Sequence, residues 1–123
     1  MTDCLFCRVV AGEIPADVVH ETDRTVAFRD LGPQAPTHVL VVPREHHPVI
    51  GSAVDADPSL VSHVLAAAVA VARQEGLDGG FRLVANTGDD GGQTVQHLHV
   101  HVLGGRPMGW PPGCSRPEAP VAA

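Results

Sequence analysis

Aromatic residues are scarce in this chain: three phenylalanines, one tryptophan and no tyrosine among 123 residues. The core is therefore expected to be mostly Val, Leu and Ala. Positive charge is scarce too, with 8 Lys and Arg against 14 Asp and Glu and a formal net charge of −6. No basic run occurs. This argues against nucleic acid as a backbone-bound partner, because such binding needs clustered Lys and Arg. A small anionic ligand must then be held by local donors, not by net charge. No apolar stretch approaches membrane-spanning length, and the N-terminus lacks a secretory pattern. Three cysteines do not make a disulfide framework. Together these absences favour the cytoplasm, with no membrane partner.

The length suits one domain with one modest core. We expect that domain over residues 1–113, followed by a disordered Pro- and Ala-rich tail over 114–123 that holds Cys114. Residues 4–11 can form a brief helix, broken by Gly12 and Pro15. Residues 17–21 and 25–29 read as short strands around a turn. Residues 37–43 read as a buried strand, after a Pro-rich loop. Asp57-Pro58 looks like a helix start, Asp as N-cap and Pro at the first helical position. Leu60, Val64 and Val71, joined by Val61, Leu65 and Ala68, form the apolar face of the one long helix. Gly76 suits its stop, and His63 reads as a surface residue on it. Residues 81–85 read as a strand, and 86–94 as a Gly-rich loop. Short strands, one long helix and more strands give an α+β fold, with an antiparallel sheet of about five strands.

The chain is organised around His97-Leu-His-Val-His101-Val-Leu103. Strict alternation of histidine and aliphatic residues predicts a strand with His97, His99 and His101 on one face and Leu98, Val100 and Val102 facing a core. The outer two histidines would then lie about 13 Å apart, too far for one metal ion to join. Nucleophilic and acid–base chemistry suits imidazole, which titrates near neutral pH. Just upstream, Gly88 to Thr94 would bring backbone N–H donors and a hydroxyl beside the histidines, although such a loop is equally a plain turn. Cys4-x-x-Cys7 reads as a metal or redox pair. As a zinc site it needs two further ligands, from His46 or His47 and His97. A βαβ pattern, the usual setting for redox use, does not surround it.

His97-x-His99-x-His101 followed by Val102-Leu103 resembles the motif of the histidine triad family. Cys4-Leu-Phe-Cys7, Ala11-Gly-Glu-Ile-Pro15, Asp30-Leu-Gly-Pro-Gln-Ala-Pro-Thr-His38, Asp90-Gly-Gly-Gln-Thr94 and Gly104-Gly-Arg-Pro-Met-Gly-Trp-Pro-Pro-Gly113 extend the resemblance, at matching spacing, to its Hint branch. That likeness implies the same α+β fold and a homodimer. It implies a purine nucleoside phosphoramidase that passes through a nucleotidyl-histidine intermediate. His99 would be the nucleophile, His101 a donor to the phosphate, and His38 the residue that orients the ring. Gly92, Gln93 and Thr94 would hold the α-phosphate, with Asn86 close by. Asp30 would accept both ribose hydroxyls, where the pattern alone gives a turn cap. Leu5, Phe6, Val9, Phe28 and Leu31 would line a slot for the purine, where the pattern alone gives ordinary core. The resemblance assigns Cys4, Cys7, His46 and His97 to a structural zinc. It directs the segment around Trp110 toward the partner's site. The rivals are a dinucleoside polyphosphate hydrolase and a nucleotide-binding interaction module with incidental catalysis. A galactose-phosphate uridylyltransferase fits less well, because His101 stands where that group has Gln.

Overall fold

A computed structural model describes residues 3–113. The expected tail and Cys114 lie outside the described residues. The sheet is built around β3 (Thr37–Pro43), whose continuous run of apolar residues is buried on both sides. β2 (Thr25–Arg29) pairs with it on one edge and β5 (Val100–Gly104) on the other. β1 (Val18–Glu21) and β4 (Phe81–Ala85) complete five antiparallel strands in the order β1-β2-β3-β5-β4. The α+β architecture read from the sequence is the one observed.

Each face of the sheet has its own cover. On one side Ala27, Val39, Val41, Val100 and Val102 pack against α3 (Pro58–Gln74). That helix buries Leu60, Val64, Ala67, Ala68, Val71 and Ala72, a stripe at the 3.6-residue period. Three alanines in the stripe let the helix sit close to the sheet. Leu65, read as part of that face, is exposed instead, and Val61 is only half-buried. His63 is on the surface, as expected. On the other side α1 (Leu5–Val10) lays Phe6 over Val26, Phe28, Leu40 and Val42. Removing the Phe6 ring would cost about 3–5 kcal/mol, because the sheet beneath cannot collapse into the space.

The sequence reading missed α2 (Ile50–Ala56). It has a glycine at its second position and no side-chain N-cap, so it carries no start signal. Ser52 closes its first turn by donating its hydroxyl to the Val49 carbonyl at 2.8 Å. Asp57 then ends α2 with its backbone, its N–H donating to the Ala53 carbonyl, and starts α3 with its side chain, which accepts from the Ser59 amide. Among the described residues no helix is long and apolar enough to cross a membrane.

A second correction concerns the histidine stretch. Regular pairing begins only at Val100, so His97 and His99 precede β5 and His101 alone lies in the ladder. The chain before the strand is held instead by the Leu98 amide, which donates to the His47 carbonyl at 2.6 Å. At the far end, a Cβ on Gly104 would meet Leu77 at 2.7 Å. Gly105, at φ +93°, backs onto Pro36, 2.8 Å from where its Cβ would be.

Candidate functional site

The register brings the histidines together. Leu40 pairs with His101 and His38 with Leu103, so His38 and His101 project from adjacent strands on the α1 side of the sheet. Nε2 of His38 lies 2.9 Å from Nδ1 of His101. His99 stands next to them, its ring centroid 5.0 Å from that of His101. Phe6 meets the His99 ring edge-on at 5.1 Å and the Phe28 ring at 5.4 Å.

Each ring is held from behind. Nδ1 of His99 is 2.8 Å from the His97 carbonyl. A carbonyl only accepts, so Nδ1 carries a proton, and in the neutral ring Nε2 keeps the lone pair. No buried side-chain nitrogen or oxygen lacks a partner among the described residues. No other described residue engages Nε2 of His99, so that atom is not sealed within the core. Nε2 of His97 lies 2.9 Å from the Pro43 carbonyl, so that ring also keeps a lone pair, here on Nδ1. Nδ1 of His38 accepts from the Gln34 amide at 3.0 Å.

Burial shapes the charges. It pushes the His101 pKa down to about 4, helped by His99 and His38 and opposed by the Asp30 carboxylate. His38 is lowered by the same burial and pulled back by Asp30, whose Oδ2 lies 3.4 Å from its Nε2. Both rings are uncharged at neutral pH.

The second cluster lies at the other end of the histidine stretch. Nδ1 of His97 is 3.4 Å from Sγ of Cys4, 3.5 Å from Sγ of Cys7 and 3.1 Å from Nδ1 of His46. Sγ of Cys7 is 3.3 Å from Nδ1 of His46. All four candidate ligand atoms lie within 4.8 Å of one another. Tetrahedral zinc, with bonds of about 2.0–2.3 Å, spaces its ligand atoms by about 3.3–3.8 Å. His47, the alternative to His46 in the sequence, turns instead to Glu45 at 3.1 Å.

The residues matched to nucleotide contacts divide into two sets. Phe6 and Phe28 are buried and Val9 packs against them, while Leu5 is half-exposed and Leu31 fully exposed beyond Asp30. Oδ1 of Asp30 accepts from the Gly32 amide at 2.8 Å, the turn-cap geometry, while Oδ2 faces His38. The Gly-rich loop differs from expectation. The amides of Gly92 and Gln93 close the loop on the carbonyls of Asp89 and Gly88. The buried Gln93 side chain accepts from the Gly88 amide and donates to the carbonyls of Pro48 and Val95. Gln93 is thus a pin within the loop, with no donor left to present. Gly91 is obligatory, since a Cβ there would sit 2.3 Å from the Thr87 carbonyl oxygen. Thr94 is exposed and outside these bonds, and Asn86 spends one amide hydrogen on the Gly91 carbonyl. Both keep a side-chain donor that an anion could take.

Two arginines fasten the segment after β5. Arg106 donates to the Gln34 carbonyl at 2.9 Å, and Arg82 to that of Gly109. Between this segment and the Gly-rich loop lies a hollow of about 710 Å³, walled by Gln34, Asn86, Gly92, Met108 and Pro111 among others. Trp110 is almost fully exposed. Sequence reasoning placed Gln34 and Arg106 only within matched motifs, and gave no role to them or to Arg82. Gln34 acts through its backbone, which no residue pattern reports.

The HIT domain family matches residues 11–108. A HIT-like protein of Synechococcus elongatus is 50% identical over 111 residues, which span 90% of this chain and 97% of its own. The solved structure of a HIT family hydrolase from Legionella pneumophila superposes with a TM-score of 0.86 at 50% identity, over 90% of this chain and 100% of that one. A histidine triad nucleotide-binding protein from Candida albicans gives a TM-score of 0.77 at 28% identity, over 93% of this chain and 87% of its own.

Proposed function

The chain belongs to the HIT domain family, and on that premise we propose that it is a hydrolase of the Hint branch that cleaves purine nucleoside 5′-phosphoramidates. The observation that carries the reading is Nε2 of His99, without a partner among the described residues, its tautomer fixed by the His97 carbonyl, beside His101. Nucleophilic catalysis requires a neutral ring with one nitrogen free and the other tied to an acceptor. Nε2 of His99 attacks the α-phosphorus and the bond from phosphorus to the amine breaks, the departing nitrogen taking a proton from water. Water then attacks the nucleotidyl-histidine, releasing AMP or GMP and restoring the ring. His101 donates to a phosphoryl oxygen as negative charge builds there, and Thr94 and Asn86 supply further donors. The purine lies against Phe6, Phe28 and Val9, with Leu5 and Leu31 at the open rim, and Asp30 takes the ribose hydroxyls.

Zinc is part of the proposal. The fit rests on two thiols and two imidazoles gathered close to tetrahedral spacing, with the ring of His97 oriented by Pro43 so that its lone pair faces the cluster. Four such ligands leave no open position, the pattern of a structural ion. Its contribution when bound would be to cross-link α1, the segment after β3 and the histidine stretch.

The proposed homodimer rests on the edge strand β4, where Phe81 and Leu83 are exposed, and on Trp110, a large ring lying in solvent. In this reading Trp110 faces the partner's cleft on the leaving-group side.

The test is turnover of an adenosine phosphoramidate against that of a dinucleoside polyphosphate, with AMP binding measured in parallel. His99→Ala should lower turnover by at least about 10³-fold and keep AMP binding. A trapped nucleotide should map to His99 by mass spectrometry. AMP binding without turnover would favour an interaction module, and near-normal turnover in His99→Ala would remove it as the nucleophile.

A further inference from the structure

His99 and His101 are chemically identical rings at neighbouring positions, yet the proposed reaction needs opposite things from their Nε2 atoms. One must be bare and the other must carry a proton. For His99 the choice is made by a carbonyl behind the ring. For His101 the group behind is another histidine, which can donate or accept. Something must break that symmetry. We propose that the backbone amide of Gln34 does so, which makes Gln34 a positioning residue acting through its main chain.

An amide N–H only donates, so at 3.0 Å it requires a lone pair on Nδ1 of His38. Neutral His38 therefore carries its proton on Nε2. That atom lies 2.9 Å from Nδ1 of His101 and 3.4 Å from Oδ2 of Asp30. Two protons do not fit between nitrogens 2.9 Å apart, so Nδ1 of His101 accepts. The proton of His101 is thereby left on Nε2, where the phosphate donor is needed. The amide also opposes a doubly protonated His38, whose Nδ1–H would point at the Gln34 N–H. The donor is well placed to be fixed. Pro33 and Pro36 flank this turn, the Gln34 side chain donates to the Gly32 carbonyl at 2.9 Å, and Arg106 holds the Gln34 carbonyl. The order of protons in the cleft is thus set by a main-chain group outside it.

The catalytic consequence rests on the phosphoramidase reading, but the proton order does not, so the two are tested apart. Long-range ¹H–¹⁵N NMR on the full-length, zinc-loaded protein without substrate reads each tautomer. His38 and His101 should be protonated on Nε2, and His99 on Nδ1. A proton on Nδ1 of His38 or of His101 would overturn the proposal, whatever the activity. Gln34→Pro removes the amide, and Gln34→Ala removes the side chain but keeps the amide. Gln34→Pro should mix the tautomers of His38 and His101 and lower kcat by about 10²-fold, while AMP affinity changes little. Gln34→Ala should restore the parent tautomers and most of the lost kcat. Equal losses in the two variants would assign the effect to the side chain and reject the amide. If Gln34→Pro does not fold, the parent spectrum decides. Parent tautomers as assigned, with no turnover of any adenosine phosphoramidate, would reject the substrate and leave the proton order standing.

Discussion

The carbonyl oxygen of His97 lies 2.8 Å from Nδ1 of His99, while the ring of His97 faces Cys4, Cys7 and His46. One residue therefore serves two clusters, with its backbone turned to the proposed nucleophile and its side chain to the proposed metal. A disturbance at the cysteines can reach His99 by moving the main chain at His97, or through Phe6, which lies between the two cysteines and meets the His99 ring. That main chain is tied on the next residue by the bond from Leu98 to His47.

Protein purified without a tag from zinc-supplemented cells should therefore contain close to one zinc per chain. Fewer than about 0.1 would reject the site, since a closed four-ligand set binds tightly at neutral pH. The Cys4→Ser, Cys7→Ser double variant should melt several degrees lower and keep measurable turnover at low temperature. A folded double variant with no turnover at all would mean the metal does more than cross-link.

Acidification should destabilise the fold. His101 titrates at about 4 in the folded chain, below its ordinary 6.5, and His38 is lowered as well. Through that window the unfolded chain binds more protons than the folded one, so stability is full above about pH 6.5 and is lost as the pH falls toward 4. Urea midpoints at pH 7 and pH 5 should differ, and the difference should shrink in His101→Asn. An unchanged difference in that variant would assign the pH dependence to other groups.

Gln93 offers a sharper contrast. Gln93→Ala leaves the bonds to Gly88, Pro48 and Val95 unmade, a cost of about 1–3 kcal/mol. Gln93→Glu should be worse than Ala at neutral pH, because a carboxylate oxygen would then face the carbonyls of Pro48 and Val95 where an N–H₂ now donates. Chemical denaturation of both variants checks the order, and a Glu variant as stable as the parent would contradict the bonding described.

Removing the chain from Met108 onward takes away Trp110 and the Gly109 carbonyl that Arg82 holds. Amine preference should change more than AMP affinity, and the parent should sediment as a dimer. A monomeric parent, or equal loss of both properties, would sink the placement of Trp110 beside a partner's cleft.

Much of this was legible in the sequence because it rests on side-chain pattern. The apolar run of β3, the Asp-Pro start of α3 and the alternation around His101 each reflect a periodicity that packing enforces. Element α2 was not legible, because Ser52 caps it through the Val49 backbone and Gly51 weakens its helical signal. The start of β5 was misread for a related reason. His97 to His99 keep the alternation of a strand, yet His97 is held by the carbonyl of Pro43 and Leu98 by that of His47, not by strand pairing. At the Gly-rich loop the composition suggested free amides, and the structure spends those of Gly92 and Gln93 on the loop itself. What the sequence conceals throughout is the bonding of main-chain groups.

The glycine pair that ends β5 has a bearing on the histidines three to eight residues away. If β5 slid by one residue in one direction, Leu103 would occupy the place of Gly104, where even a methyl group collides with Leu77. Sliding the other way would put Arg106 where Gly105 stands, in a left-handed conformation against Pro36. Either slip would also turn His101 toward α3 and carry a valine to the side of His38. The alignment of the histidine row is therefore locked from its far end, by two residues that have no side chains and take no part in the chemistry.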